Sequence, residues 1–299
     1  MRSEELGVKN LNIDNLFCAP VYFFETVGST MDVSKQLASE GAAQNAAKLP
    51  AQSAAELPVH GTVIVADFQE AGRGRGQKRT WEMEKGLNLS FTILLRFPSV
   101  EDIPPAFTLR TGLSVSLAIE DAVPSLKNKV KVKWPNDILI GDKKVCGILC
   151  EADGGSVHAG IGVNVLQKEF PSHLRDKATS IFLEAESGEL GVRSEELGVR
   201  SEECGVWSVE LGVRGFLLER ILSRLYDELE NENNDWKERL EKRLYKMGEQ
   251  VTFMEGKVDS KNIINGLLIG ISKDGELLIT PEGETAPKTF ITGELKIDN

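Results

Sequence analysis

The strongest constraint on this fold is the spacing of short apolar runs between residues 62 and 165. Residues 62–68 (TVIVADF), 87–95 (LNLSFTILL), 130–134, 138–140, 145–151 and 158–165 (HAGIGVNV) are each of strand length and are broken by turn residues. Helical patterns lie among them. Ser29 or Thr30 caps residues 31–41 (MDVSKQLASEG), where Val33, Leu37 and Ala38 recur at helical spacing. Residues 106–123, entered through Pro104 and Pro105 and stopped near Pro124, read as a buried helix. From 216 to 245 the residues Leu217, Leu218, Ile221, Leu222, Leu225 and Leu229 share one helical face. The pattern predicts an α+β fold whose main domain is an α/β mixed sheet. Beyond Gly248 the texture becomes short alternating strands with turn glycines, which predicts a small C-terminal all-β barrel.

At 299 residues the chain accommodates two domains. The expected division is an N-terminal tail over 1–20, a main domain over 21–246 and the barrel over 247–299. Two segments read as insertions. Residues 41–58 (GAAQNAAKLPAQSAAELP) lack any sustained apolar period. Residues 187–214 hold a seven-residue word four times (SGELGVR, SEELGVR, SEECGVW, SVELGVR), and the same word stands at residues 3–9 as SEELGVK. A glycine in every word, costing about 1 kcal/mol relative to Ala inside a helix, argues against a coiled coil. A duplicated linker is expected instead, because loop closure entropy rises slowly with length.

The formal charge is −11 and the pI near 5.0, which excludes a chain-wide basic footprint for nucleic acid or an anionic membrane. The first ten residues hold no apolar leader, and no run is long and apolar enough to span a bilayer, so neither export nor a membrane partner is expected. Four cysteines without CxxC spacing fit a reducing cytoplasm.

Against that acidic background two segments are basic. Residues 69–81 (QEAGRGRGQKRTW) carry +3, and there Gly72, Gly74 and Gly76 alternate with Arg73 and Arg75. Alternating glycines permit close ligand approach, and guanidinium forks match phosphate or carboxylate, so an anion belongs at this loop. The dinucleotide fingerprint does not fit, because KRTWEMEKG is a poor helix start. Residues 127–144 (KNKVKVKWPNDILIGDKK) carry +4. Lys127, Lys129 and Lys131 read as the solvated face of an edge strand. In WPND, Pro135 fixes a turn that presents Asn136 and Asp137, and Lys144 stands at the mouth of an apolar strand as a snorkelling charge or a fixed cation.

GRGRG followed by Trp, then KWPND, DKKVCGIL and GIGVNV, in this order and at these separations, closely resembles the biotin-protein ligase family. The resemblance covers roughly residues 22–180 apart from the first insertion, and the barrel is similar to that family's SH3-like domain. It implies a monofunctional biotin-[acetyl-CoA-carboxylase] ligase that uses ATP and Mg2+ to make biotinyl-5'-AMP. Biotin then passes to one lysine of a biotin carboxyl carrier protein. The resemblance assigns Lys144, Arg73 and Asp137 to catalysis. It assigns Ser29, Thr30, Met31, Gln69, Arg73, Gly74, Arg75, Lys144 and Gly147 to biotin, with Met31 standing where the family usually has an Asn. Arg73, Arg75, Trp81, Asn136, Lys144 and Asn164 fall to the nucleotide, Trp81 stacking on adenine, and no protein metal site is implied. Only about 20 residues precede VYFFETVGST, too few for a helix-turn-helix domain, so DNA binding is not expected. A homodimer is compatible with the sequence. A lipoate-protein ligase of the related fold and a non-catalytic biotin or nucleotide binder remain alternatives.

Overall fold

The computed structural model describes residues 8–39, 59–76, 79–186, 211–230, 235–256 and 262–297. The 41–58 insertion and most of the repeat block lie outside them. An eight-stranded mixed sheet forms the main body. Its strands are β1 (Val8–Asn10), β2 (Val21–Val27), β3 (Thr62–Gln69), β4 (Asn88–Arg96), β5 (Val130–Lys133), β6 (Asp137–Ile140), β7 (Lys143–Asp153) and β8 (Ser156–Asn164), in spatial order β1-β2-β3-β4-β8-β7-β6-β5. Only β2 and β3 pair in parallel. The two are linked through helix α1 (Thr30–Ser39), as a parallel pair requires a crossover.

The two faces of the sheet are covered differently. Helices α2 (Phe107–Ala122) and α4 (Val213–Glu230) pack together over one face and enclose the principal core, including Leu89, Phe91, Ile93, Ile148 and Ile161. On the other face α1 buries a small cluster of Tyr22, Phe24, Leu37 and Ile64. The rest of that face is left for a site. Between α2 and α4 lie a one-turn helix α3 (Ile181–Glu184), capped by the Ser180 side chain, and the undescribed repeats. Residues 211–214, the end of the last seven-residue word, lead into and open α4. Leu211 is buried there, and Arg214 Nη1 donates to Asp67 Oδ1 at 2.7 Å and to the Asn88 carbonyl at 3.1 Å.

The helical stripe expected from 216 to 245 ends sooner: α4 stops at Glu230 and a short α5 (Trp236–Glu241) follows. Buried charges in this layer are paired. Arg110 of α2 donates from Nε to Glu228 Oε1 at 2.9 Å and from Nη2 to the Glu228 carbonyl at 2.8 Å. Arg239 reaches the other Glu228 oxygen at 3.1 Å.

A separate antiparallel sheet completes the molecule: β9 (Gln250–Glu255), β10 (Ile263–Ile271), β11 (Leu277–Pro281), β12 (Lys288–Phe290) and β13 (Gly293–Leu295), in order β12-β11-β10-β9-β13. It is the expected SH3-like barrel. Trp134 anchors it to the main sheet, its ring 5.9 Å from Phe253 and its Nε1 donating to the Gly275 carbonyl at 3.0 Å. Among the described residues no helix is long and apolar enough to cross a membrane.

Glu228→Ala leaves the Arg110 guanidinium buried without its carboxylate. Such losses cost about 3–5 kcal/mol, so urea denaturation is expected to show destabilisation of that order. Replacing Arg110 and Glu228 together by Met should recover much of it, and equal losses in the single and double variants would show that the pair does not carry the effect.

Candidate functional site

Alternation along the two central strands gives the open face its chemistry. On β4 the residues Leu89, Phe91, Ile93 and Leu95 enter the principal core, which turns Asn88, Ser90, Thr92 and Leu94 to the other side. On β8 Val157, Ala159, Ile161 and Val163 do the same, leaving His158, Gly160, Gly162 and Asn164. Gly147 of β7 pairs with Gly162 and extends a floor without side chains. A Cβ on Gly162 would lie 2.4 Å from the Trp81 ring, and one on Gly160 would lie 2.8 Å from Met31 Cε. The glycines therefore let these two side chains lie against bare backbone.

A cavity of about 310 Å3 opens above this floor. The start of α1 forms one wall with Ser29, Thr30 and Met31. Thr30 donates to Gln69 Oε1 from its backbone nitrogen at 2.9 Å and from its hydroxyl at 3.1 Å, and its hydroxyl also meets Thr92 Oγ1 at 2.8 Å. The Gln69 carbonyl oxygen is thereby occupied, and its amide nitrogen lies 3.9 Å from the Met83 sulfur. The opposite wall is the glycine-rich loop, folded as a hairpin by Gly74 N donating to the Arg79 carbonyl at 2.8 Å and Trp81 N to the Gly72 carbonyl at 3.0 Å. Residues 72–76 thus follow β3 and pair back on residues 79–81.

The third wall is a knot of charge. A bulge in the β6–β7 pairing opposes Ile138 to Cys146 and Leu139 to Lys144, so Val145 is the extra residue. Residues three apart on a regular strand point to opposite faces; the bulge brings Lys144 and Gly147 to the same cavity. The Lys144 backbone is pinned as well, its nitrogen donating to the Lys177 carbonyl at 2.8 Å and its carbonyl accepting from Thr179 N at 2.9 Å. Lys144 Nζ donates to Asp137 Oδ1 at 2.6 Å. Behind them the buried Lys133 lies 3.9 Å from Asp137 and 3.6 Å from Glu294, a residue of the barrel strand β13. Arg79 joins Glu294 at 2.6 Å, and Arg75 Nη2 donates to the Gly293 carbonyl at 2.8 Å.

Burial drives the titration of this knot, and the pairing opposes it. Burial pulls the Lys133 ammonium down against the pull of Asp137 and Glu294. Burial also pushes Asp137 and Glu294 up. Lys144, Lys133 and Arg75 outweigh it at Asp137, and Arg79 and Lys133 do so at Glu294, so both carboxyls end below their ordinary range. The Arg75 guanidinium is lowered, chiefly by burial. Two buried donors in the cavity wall, Arg75 Nε and Trp81 Nε1, have no hydrogen-bond partner among the described residues. An acceptor belongs beside them.

A second cavity of about 220 Å3 adjoins the first and shares Thr80, Trp81, Glu82 and Lys144 with it. Its other walls include Phe170, Leu174 and Lys177, with Asn164 and Gln167 at the base. Asn88 Nδ2 donates to Asn164 Oδ1 and to Gln167 Oε1, both at 2.9 Å, and Asn164 Nδ2 donates to the Thr179 carbonyl at 2.9 Å. Lys144 Nζ stands 5.8 Å from the Trp81 ring centroid, on the boundary between the cavities.

Of the sequence candidates, Ser29, Thr30, Met31, Gln69, Arg73, Gly74, Arg75, Trp81, Asn136, Asp137, Lys144 and Gly147 line the first cavity. Asn164 lines the second. Asn136 sits on the first side, its Nδ2 donating to the Ile148 carbonyl at 2.8 Å. Sequence reading missed Lys133 and Glu294. Lys133 sat in a run of alternating lysines, of which Lys127 and Lys129 are exposed as expected whereas Lys131, expected to be solvated too, is half-buried. Glu294 carries no signal at all in a short barrel strand.

Residues 51–167 match the Biotin/lipoate A/B protein ligase family. The chain is 35% identical over 170 residues to the "Bifunctional ligase/repressor BirA" of Bacillus subtilis, covering 53% of this chain and 45% of that one. It is 33% identical over 127 residues to the "Biotin--[acetyl-CoA-carboxylase] ligase" of Mycobacterium tuberculosis, covering 41% and 46% respectively. The chain thus spans about half the length of the curated relatives it matches. Its structure is similar to the biotin protein ligase of Aquifex aeolicus in complex with biotin and ATP, with a TM-score of 0.63, 27% identity and coverage of 92% of this chain and 97% of that one. Residues 51–167 are thus similar to a biotin/lipoate A/B protein ligase domain. The Mycobacterium tuberculosis and Aquifex aeolicus proteins are biotin ligases by name.

Gly162→Ala is expected to lift the Trp81 indole from the floor. Tryptophan emission and iodide quenching should change while far-ultraviolet circular dichroism does not, and Gly28→Ala, where a Cβ meets nothing within 4 Å, should change neither. Asp137, held below the ordinary carboxylate value of about 3.9, contributes stability that is fully present above that value and is lost as pH falls through its lower folded one. Carboxyl carbon NMR should place its midpoint below about 3.9, and a midpoint above would contradict the pairing.

Proposed function

We propose that the protein activates biotin with ATP to biotinyl-5'-AMP and transfers it to a lysine of a biotin carboxyl carrier protein. The observation that carries this reading is Lys144, fixed by the β7 bulge on the boundary shared by two adjoining cavities. The first suits biotin: Thr30, Thr92 and the Gln69 amide offer hydrogen bonds to a ureido edge. Met31, Leu149 and the glycine floor receive the apolar bicycle and chain. The second offers the Trp81 ring and apolar walls to an adenine. A carboxylate arriving from one side and an α-phosphate from the other meet at the Lys144 ammonium.

In the first step a biotin carboxylate oxygen attacks the α-phosphorus, and the bond to the pyrophosphate oxygen breaks. Negative charge builds on the phosphoryl oxygens, where Lys144 and Arg75 are preorganised cations and Arg73 of the same cavity wall adds a third charge. In the second step the carrier amine attacks the acyl carbon and AMP leaves with the bonding electrons. Asp137 holds Lys144 in place through both steps. Among the described residues no group of His, Cys, Asp or Glu converges to hold a metal. Magnesium would enter on the nucleotide phosphates, as this ion commonly does. The division into a catalytic domain over 21–246 and a barrel over 247–299 belongs to the same proposal, with Glu294 and the Gly293 carbonyl as the barrel's contribution to the site.

The test is purified protein with ATP, magnesium, labelled biotin and an apo carrier domain. Label on the carrier is expected. No label, with lipoate accepted instead, would establish the lipoate ligase alternative. Lys144→Ala should lower adenylate formation by about 100-fold or more, the scale of losing one preorganised transition-state donor, with the fold intact. Unchanged turnover would remove its role.

A further inference from the structure

The arginines of the glycine-rich hairpin are tied to different bodies. Arg75 and Arg79 reach the barrel through the Gly293 carbonyl and Glu294. Arg73 instead donates from Nη2 to Asp32 Oδ1 at 2.6 Å, across to the first turn of α1. Among the described residues Asp32 is the only ion-pair partner of Arg73. The pair closes a ring around the first cavity, since Met31 and Gly74, the chain neighbours of the two charges, both line it. Arg73 lines the cavity too, but Asp32 does not. Its guanidinium is therefore drawn outward to the rim.

The energetics suit a temporary contact. Both side chains are well exposed, 40% for Arg73 and 62% for Asp32. Exposed ion pairs of this kind are screened by solvent and hold only weakly. A carboxylate inside the cavity, desolvated and already facing Lys144, makes a stronger charge-assisted bond to the same guanidinium. Asp32 is in effect a built-in competitor for the cation that a substrate anion needs.

We propose that Asp32 is a positioning residue that holds Arg73 at the mouth of the cavity and yields it to the acid substrate. Asp32 thereby sets the apparent affinity of the activation step. This rests on the biotin-activating reading of the site. Two measurements on the full chain separate the two claims. In titration calorimetry with biotin and no nucleotide, Asp32→Asn is expected to tighten binding about two- to five-fold, the factor by which a surface pair competes. The gain should vanish in an Arg73→Ala background. Weaker or unchanged binding in Asp32→Asn, or a gain that persists without Arg73, would overturn the proposal. A merely structural Asp32 would weaken binding when neutralised. In the second measurement, trypsin acts on the ligand-free protein, and cleavage within residues 72–81 should be several-fold faster in Asp32→Asn than in the wild type. An unchanged rate would overturn the latch. Wild-type protein that fails to bind biotin while the trypsin difference holds would fault the substrate assignment and leave the latch standing.

Discussion

Asp137 is the counter-ion around which this molecule's charge is arranged. Two lysines, Lys133 and Lys144, converge on it from β5 and β7, one buried and one facing the cavities. A buried ammonium without a carboxylate would lose its proton or destabilise the fold. One aspartate cannot satisfy both lysines and the nearby guanidinium of Arg75, and the remaining negative charge comes from Glu294 in a different sheet. Docking of the barrel is thus an electrostatic requirement of the site as well as a packing event at Trp134. The WPND turn performs both tasks at once: its Trp anchors the barrel, and its Asn and Asp face the ligand.

The second constraint is the bare floor. A sheet covered by helices on one face ordinarily presents side chains on the other, and a flat ligand would have no room. Gly147, Gly160 and Gly162 remove those side chains from neighbouring strands, and the Trp81 indole settles into part of the space. That indole divides one long trench into two cavities and leaves Lys144 at the division. In the proposed reaction this holds the two substrates apart except where they react.

Much of this was legible in the sequence because it depends on local pattern. The run TVIVADF is buried from Thr62 to Ala66 and forms a strand, GRGRG forms a loop after it, and the turn glycines after Gly248 delimit short strands, the run TFITGELKI being divided into two of them. What was illegible depends on pairing between distant segments. The β7 bulge that aims Lys144 exists only against β6, and no spacing within DKKVCGIL announces it. Lys133 was given no role because alternation alone does not reveal that this lysine is buried. Lys9, which ends the copy of the repeated word at residues 3–9, is exposed on the edge strand β1, whereas Arg214, at the same place in the last copy, is buried beside Asp67, so tertiary context decides its fate.

A crystal structure with biotin and a non-hydrolysable ATP analogue would show directly whether Lys144 marks the junction of an acid cavity and a nucleotide cavity. The bicycle is expected on the Gly160 side with its ureido edge toward Thr30 and Gln69. The base should lie beside Trp81 on the Asn164 side, and the carboxylate and α-phosphate should both lie within hydrogen-bond reach of Lys144 Nζ. A base bound over Gly160, or a carboxylate held away from Lys144, would contradict that placement of Lys144.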